Sequence, residues 1–175
     1  MKKLILYILF IPFLISANEI KENTESIIKS AFGENVEIAF SKFQIPTKIK
    51  SEIEFANKQR FFAENIFVWS ITSNDSLISL GLMDNVYGKA QPITILTLFT
   101  LDGKVHSNHV VKYREEHGGA VSNKGWNEQF AGIDNNSNIS EIVDGISGAT
   151  ISVNSIKKGV KKLLMLFETI KSEFM

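Results

Sequence analysis

Four β-rich runs succeed one another between Phe61 and Tyr113: FFAENIFVWSIT, SLISLGLMDNVYG, ITILTLFTL and KVHSNHVVKY. Turn chemistry separates the first two at Ser73-Asn74-Asp75 and the last two at Asp102-Gly103. An Asp-Gly pair between two such runs predicts a type I′ hairpin turn, with positive φ at both central residues. The most regular helix comes last: Val153, Ile156, Val160, Leu163, Leu164, Phe167 and Ile170 repeat at helical spacing. Lys157, Lys158, Lys161 and Lys162 then read as its solvated face. Ahead of the strands, residues 20–32 place Ile20, Ile27, Ile28 and Phe32 near a helical stripe closed by Gly33. A second helix is predicted over 47–60, with Thr47 as its N-cap. This order predicts an α+β fold: a largely antiparallel sheet, a C-terminal amphipathic helix entered through a glycine-bearing turn, and N-terminal helices as cover.

The start reads as an address. Met1-Lys2-Lys3 precedes an apolar run to Ala17, and polar Asn18, Glu19 and Lys21 follow. A basic start, an apolar stretch and a small residue before polar sequence is the pattern of a secretory signal, with cleavage expected after Ala17. The run is shorter than the roughly 20 residues of a spanning helix, and an uncleaved short anchor is the other reading. The chain then divides into a leader over 1–17, a helical segment over 18–60 and a main domain over 61–175. Either reading places the bulk of it outside the cytoplasm, in the periplasm or on the outer face of the cytoplasmic membrane. Nineteen basic side chains balance nineteen acidic ones, which argues against non-specific nucleic-acid binding. There is no Cys, so disulfides, thiolate zinc sites, iron–sulfur clusters and thioether-linked haem are excluded.

Chemistry concentrates before the last helix, in Asp144-Gly145-Ile146-Ser147-Gly148-Ala149-Thr150-Ile151-Ser152. Two small residues stand before a hydroxyl, and a helix N-terminus favours an anion through its free N–H groups and dipole. From spacing alone two readings stand: a seat for a phosphate, with Ser147, Thr150 and Ser152 as hydroxyl donors, or a glycine turn with a serine N-cap.

Asp144 to Thr150 resembles the flavinylation motif of FMN-binding domains, Asp-x-x-Ser/Thr-Gly-Ala-Thr. Tyr113-Arg114-Glu115-Glu116-His117-Gly118 resembles a Tyr-Arg-Glu-x-x-Gly segment upstream in such domains, although Glu116 stands where many members carry Thr. Trp126 and Phe130 resemble a Trp-x-x-x-Phe pattern, and Gln91-Pro92-Ile93 the opening of the hairpin. The resemblance covers roughly 61–167. It implies FMN carried as a phosphoester on Thr150, installed from FAD by a separate Mg²⁺-dependent flavinyltransferase. Ser147, Gly148 and Ala149 would shape the turn, and Asp144 would belong to the segment that the transferase recognises. Trp126, Tyr113, Tyr87 and Phe130 become candidates for the flavin wall, and Glu115, Gly118 and Gly119 for its polar edge. The partners implied are the transferase and a redox donor and acceptor at the membrane or beyond it.

Other side chains invite less. His106 and His109 lie three apart in an expected strand, which sends them to opposite faces, and no H-E-x-x-H helix exists, so no metal site is expected. His117 reads as an exposed loop histidine. Asp134, Asn135, Asn136 and Asn138 lack the spacing of a calcium loop, and no G-x-S-x-G surrounds a serine nucleophile. Three functions follow: an exported electron carrier with covalent FMN, with no catalytic residue of its own; a module that holds FMN without a covalent bond or serves a partner oxidoreductase; and an exported structural or interaction domain.

Overall fold

In the computed structural model, residues 11–174 are described. They separate into two units, Met1–Val36 and Glu37–Met175. The leader expected over 1–17 falls mainly on residues 1–10, outside the described residues. The first unit contributes one helix, α1 (Ile11–Phe32). It ends as its sequence predicts: Gly33, at φ 99°, returns its N–H to the Lys29 carbonyl at 2.8 Å. Among the described residues no helix is long and apolar enough to cross a membrane.

The second unit is a five-stranded antiparallel meander packed on a long helix. Its strands are β1 (Glu37–Gln44), β2 (Asn65–Ser73), β3 (Ser76–Tyr87), β4 (Pro92–Thr100) and β5 (Val105–Lys112), in that spatial order. The sheet is therefore antiparallel throughout. β1 corrects the expectation of an all-helical segment over 18–60. It pairs with β2 along its whole length, Glu37 opposite Thr72 to Gln44 opposite Asn65. As an edge strand it buries almost none of its side chains, which leaves no clean alternation to read.

Both hairpin turns form where the sequence places them, and the second differs from expectation in its type. Asn74 and Asp75 take φ of 50° and 58°, so the type I′ turn forms there, between β2 and β3. At Asp102-Gly103 only Gly103 is left-handed, at φ 92°. Gly103 N–H donates to the Thr100 carbonyl at 3.0 Å, and Thr100 N–H to the Lys104 carbonyl at 2.9 Å. That is a type I turn followed by a left-handed glycine, the three-residue hairpin loop rather than the two-residue one.

Helix α2 (Thr47–Asn57) starts one residue earlier than a Thr47 cap would require, because Pro46 takes the cap position. It also stops short of Arg60, where Lys58 turns left-handed at φ 52°. Two short helices, α3 (Lys124–Asn127) and α4 (Ile139–Ile142), lie in the connection to α5 (Thr150–Ile170). The apolar stripe of α5 is buried as its period predicts. A Cβ at Gly159 would stand 2.4 Å from Val86 Cγ1 and 2.8 Å from Ile95 Cδ1, so the helix axis runs close over β3 and β4. Further along, the Phe167 ring stacks on Phe99 with centroids 4.7 Å apart. These contacts fix where the first turn of α5 emerges.

One of its four lysines is not on a solvated face. Lys162 is wholly buried, and its Nζ lies 2.8 Å from Asp84 Oδ2 in β3. It also donates to the Arg60 carbonyl at 2.9 Å and sits over the Phe61 ring. Lys157 and Lys161 fold back too, donating to the carbonyls of Val143 and Asn135.

Candidate functional site

The chain enters α5 through a turn in which the Ala149 N–H donates to the Ile146 carbonyl at 3.1 Å. Gly148 makes this possible at φ 77°, a conformation that costs a residue with a Cβ about 1–2 kcal/mol. Ala149 is buried and takes the N-cap position, and Thr150 is already the first helical residue. The helix therefore begins two residues before Ser152, and the serine N-cap expected as one reading is absent. Among the described residues no side chain caps this helix. The first intrahelical bond is Val153 N–H to the Ala149 carbonyl at 2.9 Å, which leaves the N–H groups of Thr150, Ile151 and Ser152 ahead of it. Thr150 is exposed at that end, where the positive pole of a 21-residue helix lies.

Facing this turn is a wall built from the segment after β5 and the loop between β3 and β4. Glu115 Oε1 accepts from the backbone N–H of Ala90 at 2.8 Å and of Gln91 at 3.1 Å. Those two N–H groups hold its carboxyl below the usual glutamate range. A Cβ at Gly88 would come within 2.2 Å of the same oxygen, so glycine is needed for the loop to close on Glu115. Arg114 Nη1 donates to the Pro92 carbonyl at 3.0 Å and to Thr94 Oγ1 at 2.9 Å. Partial burial lowers its guanidinium from the ordinary value but leaves it a cation.

Tyr113 joins this wall to the helix. Its hydroxyl donates to the His117 carbonyl and lies 3.1 Å from Ser152 Oγ. Gly118, at φ 84°, passes so close that a Cβ would stand 2.8 Å from Tyr113 Oη and 3.2 Å from Ser152 Oγ. Between wall and helix lies a cleft of about 890 Å³, lined among others by Lys89, Arg114, Glu115, His117, Gly118 and Thr150.

The structure thus brings Thr150, Ala149, Gly148, Glu115 and Gly118 to one cleft. It does not bring Trp126, Asp144 or Ser147 to its lining. Trp126, expected on the flavin wall, is a correction: it is buried and packs edge-on against Phe130 with centroids 5.3 Å apart. Its Nε1 donates to the Asp144 carbonyl at 3.1 Å, while Gln129 Oε1 accepts from the Asp144 N–H at 2.8 Å. The aromatic expected beside a ligand instead grips the backbone that carries the motif. Phe130 is likewise core, and the exposed Tyr87 ring lies against Phe62, lining a different depression.

Sequence reasoning missed the polar chain under this segment. Thr97 Oγ1 donates to Asn108 Oδ1 at 2.9 Å, and Asn108 Nδ2 donates to Asn127 Oδ1 at 2.8 Å. Asn127 Nδ2 in turn donates to the carbonyls of Val121 and Asn123. Two buried amides and one hydroxyl, spread over β4, β5 and α3, carried no spacing signal. Among the described residues no three His, Asp or Glu side chains converge to hold a metal ion. His109 is partly buried, which lowers its pKa, and its Nε2 lies 2.9 Å from Ser107 Oγ.

Comparison with protein families matches residues 88–165 to the FMN-binding domain. Comparison with the curated proteins finds no match. The matched residues contain both walls of the cleft and the whole turn from Asp144 to Thr150.

Proposed function

Starting from a flavoprotein whose residues 88–165 form an FMN-binding domain, we propose an exported electron carrier with FMN bound covalently through Thr150. The observation that carries this is the position of Thr150. Its hydroxyl-bearing side chain is exposed on the rim of the 890 Å³ cleft, at the uncapped first turn of a long helix.

The residues present fit the group. A volume of this size lies within the range of small-molecule sites. The N–H groups of the first turn of α5 suit a phosphate, and Gly148 lets the backbone approach it. Lys89 and Arg114 offset the carboxylates of Glu115 and Glu116 in the same lining, so the helix N-terminus remains the cleft's feature that favours an anion. FMN supplies the capacity to accept and release electrons one or two at a time. The chain's own contribution is retention and positioning. Thr150 Oγ1 is the ester atom, Glu115 holds the 88–91 loop in place, and Tyr113 keeps the 113–118 segment against the helix. An ester makes retention independent of a dissociation equilibrium, which matters where free flavin is dilute. Export rests on the apolar N-terminal run. A separate flavinyltransferase and a redox donor and acceptor complete the reading.

Intact mass of the chain co-expressed with a flavinyltransferase tests it. An addition of about 438 Da, FMN less one water, is expected on tryptic peptide 125–157, which contains Thr150. Thr150→Ala should remove it and Thr150→Ser should retain part. Flavin released on denaturation, or an unmodified chain beside a transferase active on another substrate, refutes the covalent reading. Cell fractionation of the full chain tests its location.

A further inference from the structure

The first turn of α5 borders two depressions. Ile151 lines the cleft that contains Thr150 and also a shallower one of about 490 Å³ on the other side. Lys58, Arg60 and Lys158 line the second, all three exposed and none in an ion pair among the described residues. Beside them stand Tyr87, Ile151 and Phe62, which are 49%, 50% and 42% exposed. The Phe62 and Tyr87 rings touch, with centroids 5.4 Å apart. Three of the seven large apolar side chains left exposed among the described residues thus share one patch, so the clustering needs a reason.

The patch is held rigid. Asn57 Nδ2 donates to the Lys158 carbonyl at 2.8 Å, and Gln59 Nε2 to the Ser155 carbonyl at 3.1 Å. Ser155 Oγ donates to the Tyr87 carbonyl. From below, the buried Lys162 donates to the Arg60 carbonyl while paired with Asp84. Arg60 and Tyr87 are therefore tied through their carbonyls to α5, Lys158 and Ile151 stand on it, and Lys58 lies between two residues bonded to it.

An exposed aromatic centre with a charged rim, already ordered, is the anatomy of a protein-docking surface. The whole chain carries no net charge, so three cations unneutralised in one place select an acidic partner. The place matters as well. Ile151 follows Thr150 directly, and a ligand filling the first cleft leaves this surface open beside it. Lys58, Arg60, Phe62 and Tyr87 lie outside the family match and Ile151 and Lys158 within it, so most of the surface is added by residues that precede the matched domain.

We propose that Lys58, Arg60, Lys158, Phe62, Tyr87 and Ile151 dock the acidic face of the redox protein that exchanges electrons with the flavin. The inference rests on the flavin reading above. In the exchange the docked protein loses one electron and the flavin gains it, or the reverse, and no bond forms or breaks.

The probe is a plant-type [2Fe–2S] ferredoxin, an acidic one-electron protein, titrated into the isotope-labelled, flavin-free full chain. Amide shifts are expected at 58–62, 87 and 151–158, with affinity falling about tenfold or more between about 20 and 200 mM salt. A positively charged c-type cytochrome should give none there. Lys158→Glu should weaken the ferredoxin shifts, and Lys58→Glu/Arg60→Glu/Lys158→Glu should abolish them. In flavin-loaded protein the same triple variant should slow reduction by ferredoxin and leave reduction by dithionite unchanged. Shifts that map elsewhere, or a triple variant that binds ferredoxin as the native chain does, overturn docking. So does binding of the patch to phosphatidylglycerol vesicles without any ferredoxin shift, which would assign it to a membrane. Loss of covalent flavin with the docking map intact overturns the flavin reading alone; a missing map with flavin intact overturns docking alone.

Discussion

Replacing Lys162 by methionine keeps much of a buried volume and deletes its charge. Lys162 has no exposed surface, and its Nζ meets Asp84 Oδ2 at 2.8 Å and the Arg60 carbonyl at 2.9 Å. Burial pushes the Asp84 carboxyl up and the Lys162 ammonium down, and each partner's charge resists the push on the other. Without the ammonium, the main support left to the Asp84 carboxylate is the Asn85 N–H at 2.8 Å. Cutting a buried pair in this way costs about 3–5 kcal/mol, a large part of the stability of a domain this size. The carboxyl can relieve the cost by taking up a proton, which ties the loss to pH. Its folded pKa lies above the unfolded value of about 3.8. The stability in question is thus fully present below that value and is lost as pH rises through the folded pKa. The loss therefore begins above about pH 3.8 and is complete once the carboxyl is ionised in the folded state. Urea denaturation of native chain and variant, run from pH 4.5 to pH 8, should show their gap widening with pH and then levelling. Asp84→Leu/Lys162→Met, with no charge left to bury, should recover most of it. A gap that stays flat with pH, or a double variant no better than the single one, would refute the reasoning.

Three further outcomes follow from the site. Trp126→Phe keeps the ring contact with Phe130 and loses the bond to the Asp144 carbonyl, so it should cost about 0.5–1.5 kcal/mol and slow flavinylation. The absorption spectrum of the loaded variant should match that of the native protein, and a shifted spectrum would return Trp126 to the flavin wall. Gly148→Ala and Gly118→Ala both force a Cβ into a left-handed conformation, about 1–2 kcal/mol each. Only Gly118 is also crowded, by Tyr113 and Ser152, so calorimetry should find its variant the less stable of the two. The Glu115 carboxyl is held below its ordinary 4.5 by the N–H groups of Ala90 and Gln91, so its contribution is present above that pH and lost as pH falls through the folded value. Amide exchange at Ala90 and Gln91, corrected for intrinsic rates, should lose protection in that acid window and not near neutrality.

What was legible and what was not divides along physical lines. The strands after β1 follow from β-rich runs bounded by turn chemistry, and the stripe of α5 from periodicity, because burial of one helix face imposes a period. β1 imposes none, since an edge strand with both sides of its ribbon largely in water can carry Glu37, Ser41 and Lys42 without cost. The Asp102-Gly103 turn was legible as a turn but not as a type. The same dipeptide serves two loop lengths, and only the pairing across them, Phe99 opposite Val105, decides. Lys162 was misread because helical position alone cannot tell a snorkelling lysine from a buried one. The available signal lay elsewhere, in Asp84: an acid inside the apolar run SLISLGLMDNVYG has to find a cation. Trp126 was misread for the opposite reason. The resemblance set it on the flavin wall, whereas a polar stretch that folds needs an anchor of its own.

The site stands out by a local rule that the chain breaks. A helix of 21 residues, buried along one stripe and seated on the sheet at Gly159 and Phe167, gains about 1 kcal/mol from a capping side chain. Ser147, Thr150 and Ser152 are all near enough in sequence to have been placed at that position, and Ala149 occupies it instead. The packing further along the helix leaves no slack for the first turn to seek another partner, since close contact with Val86 and Ile95 fixes its register on the sheet. The N–H groups at that end are therefore held in place, and among the described residues no side chain caps them. Departures of this kind, where local stability is forgone inside an otherwise consistent structure, belong to functional positions. Here the forgone cap and the exposed threonine coincide at the rim of one cleft, which is what an anion linked through Thr150 requires.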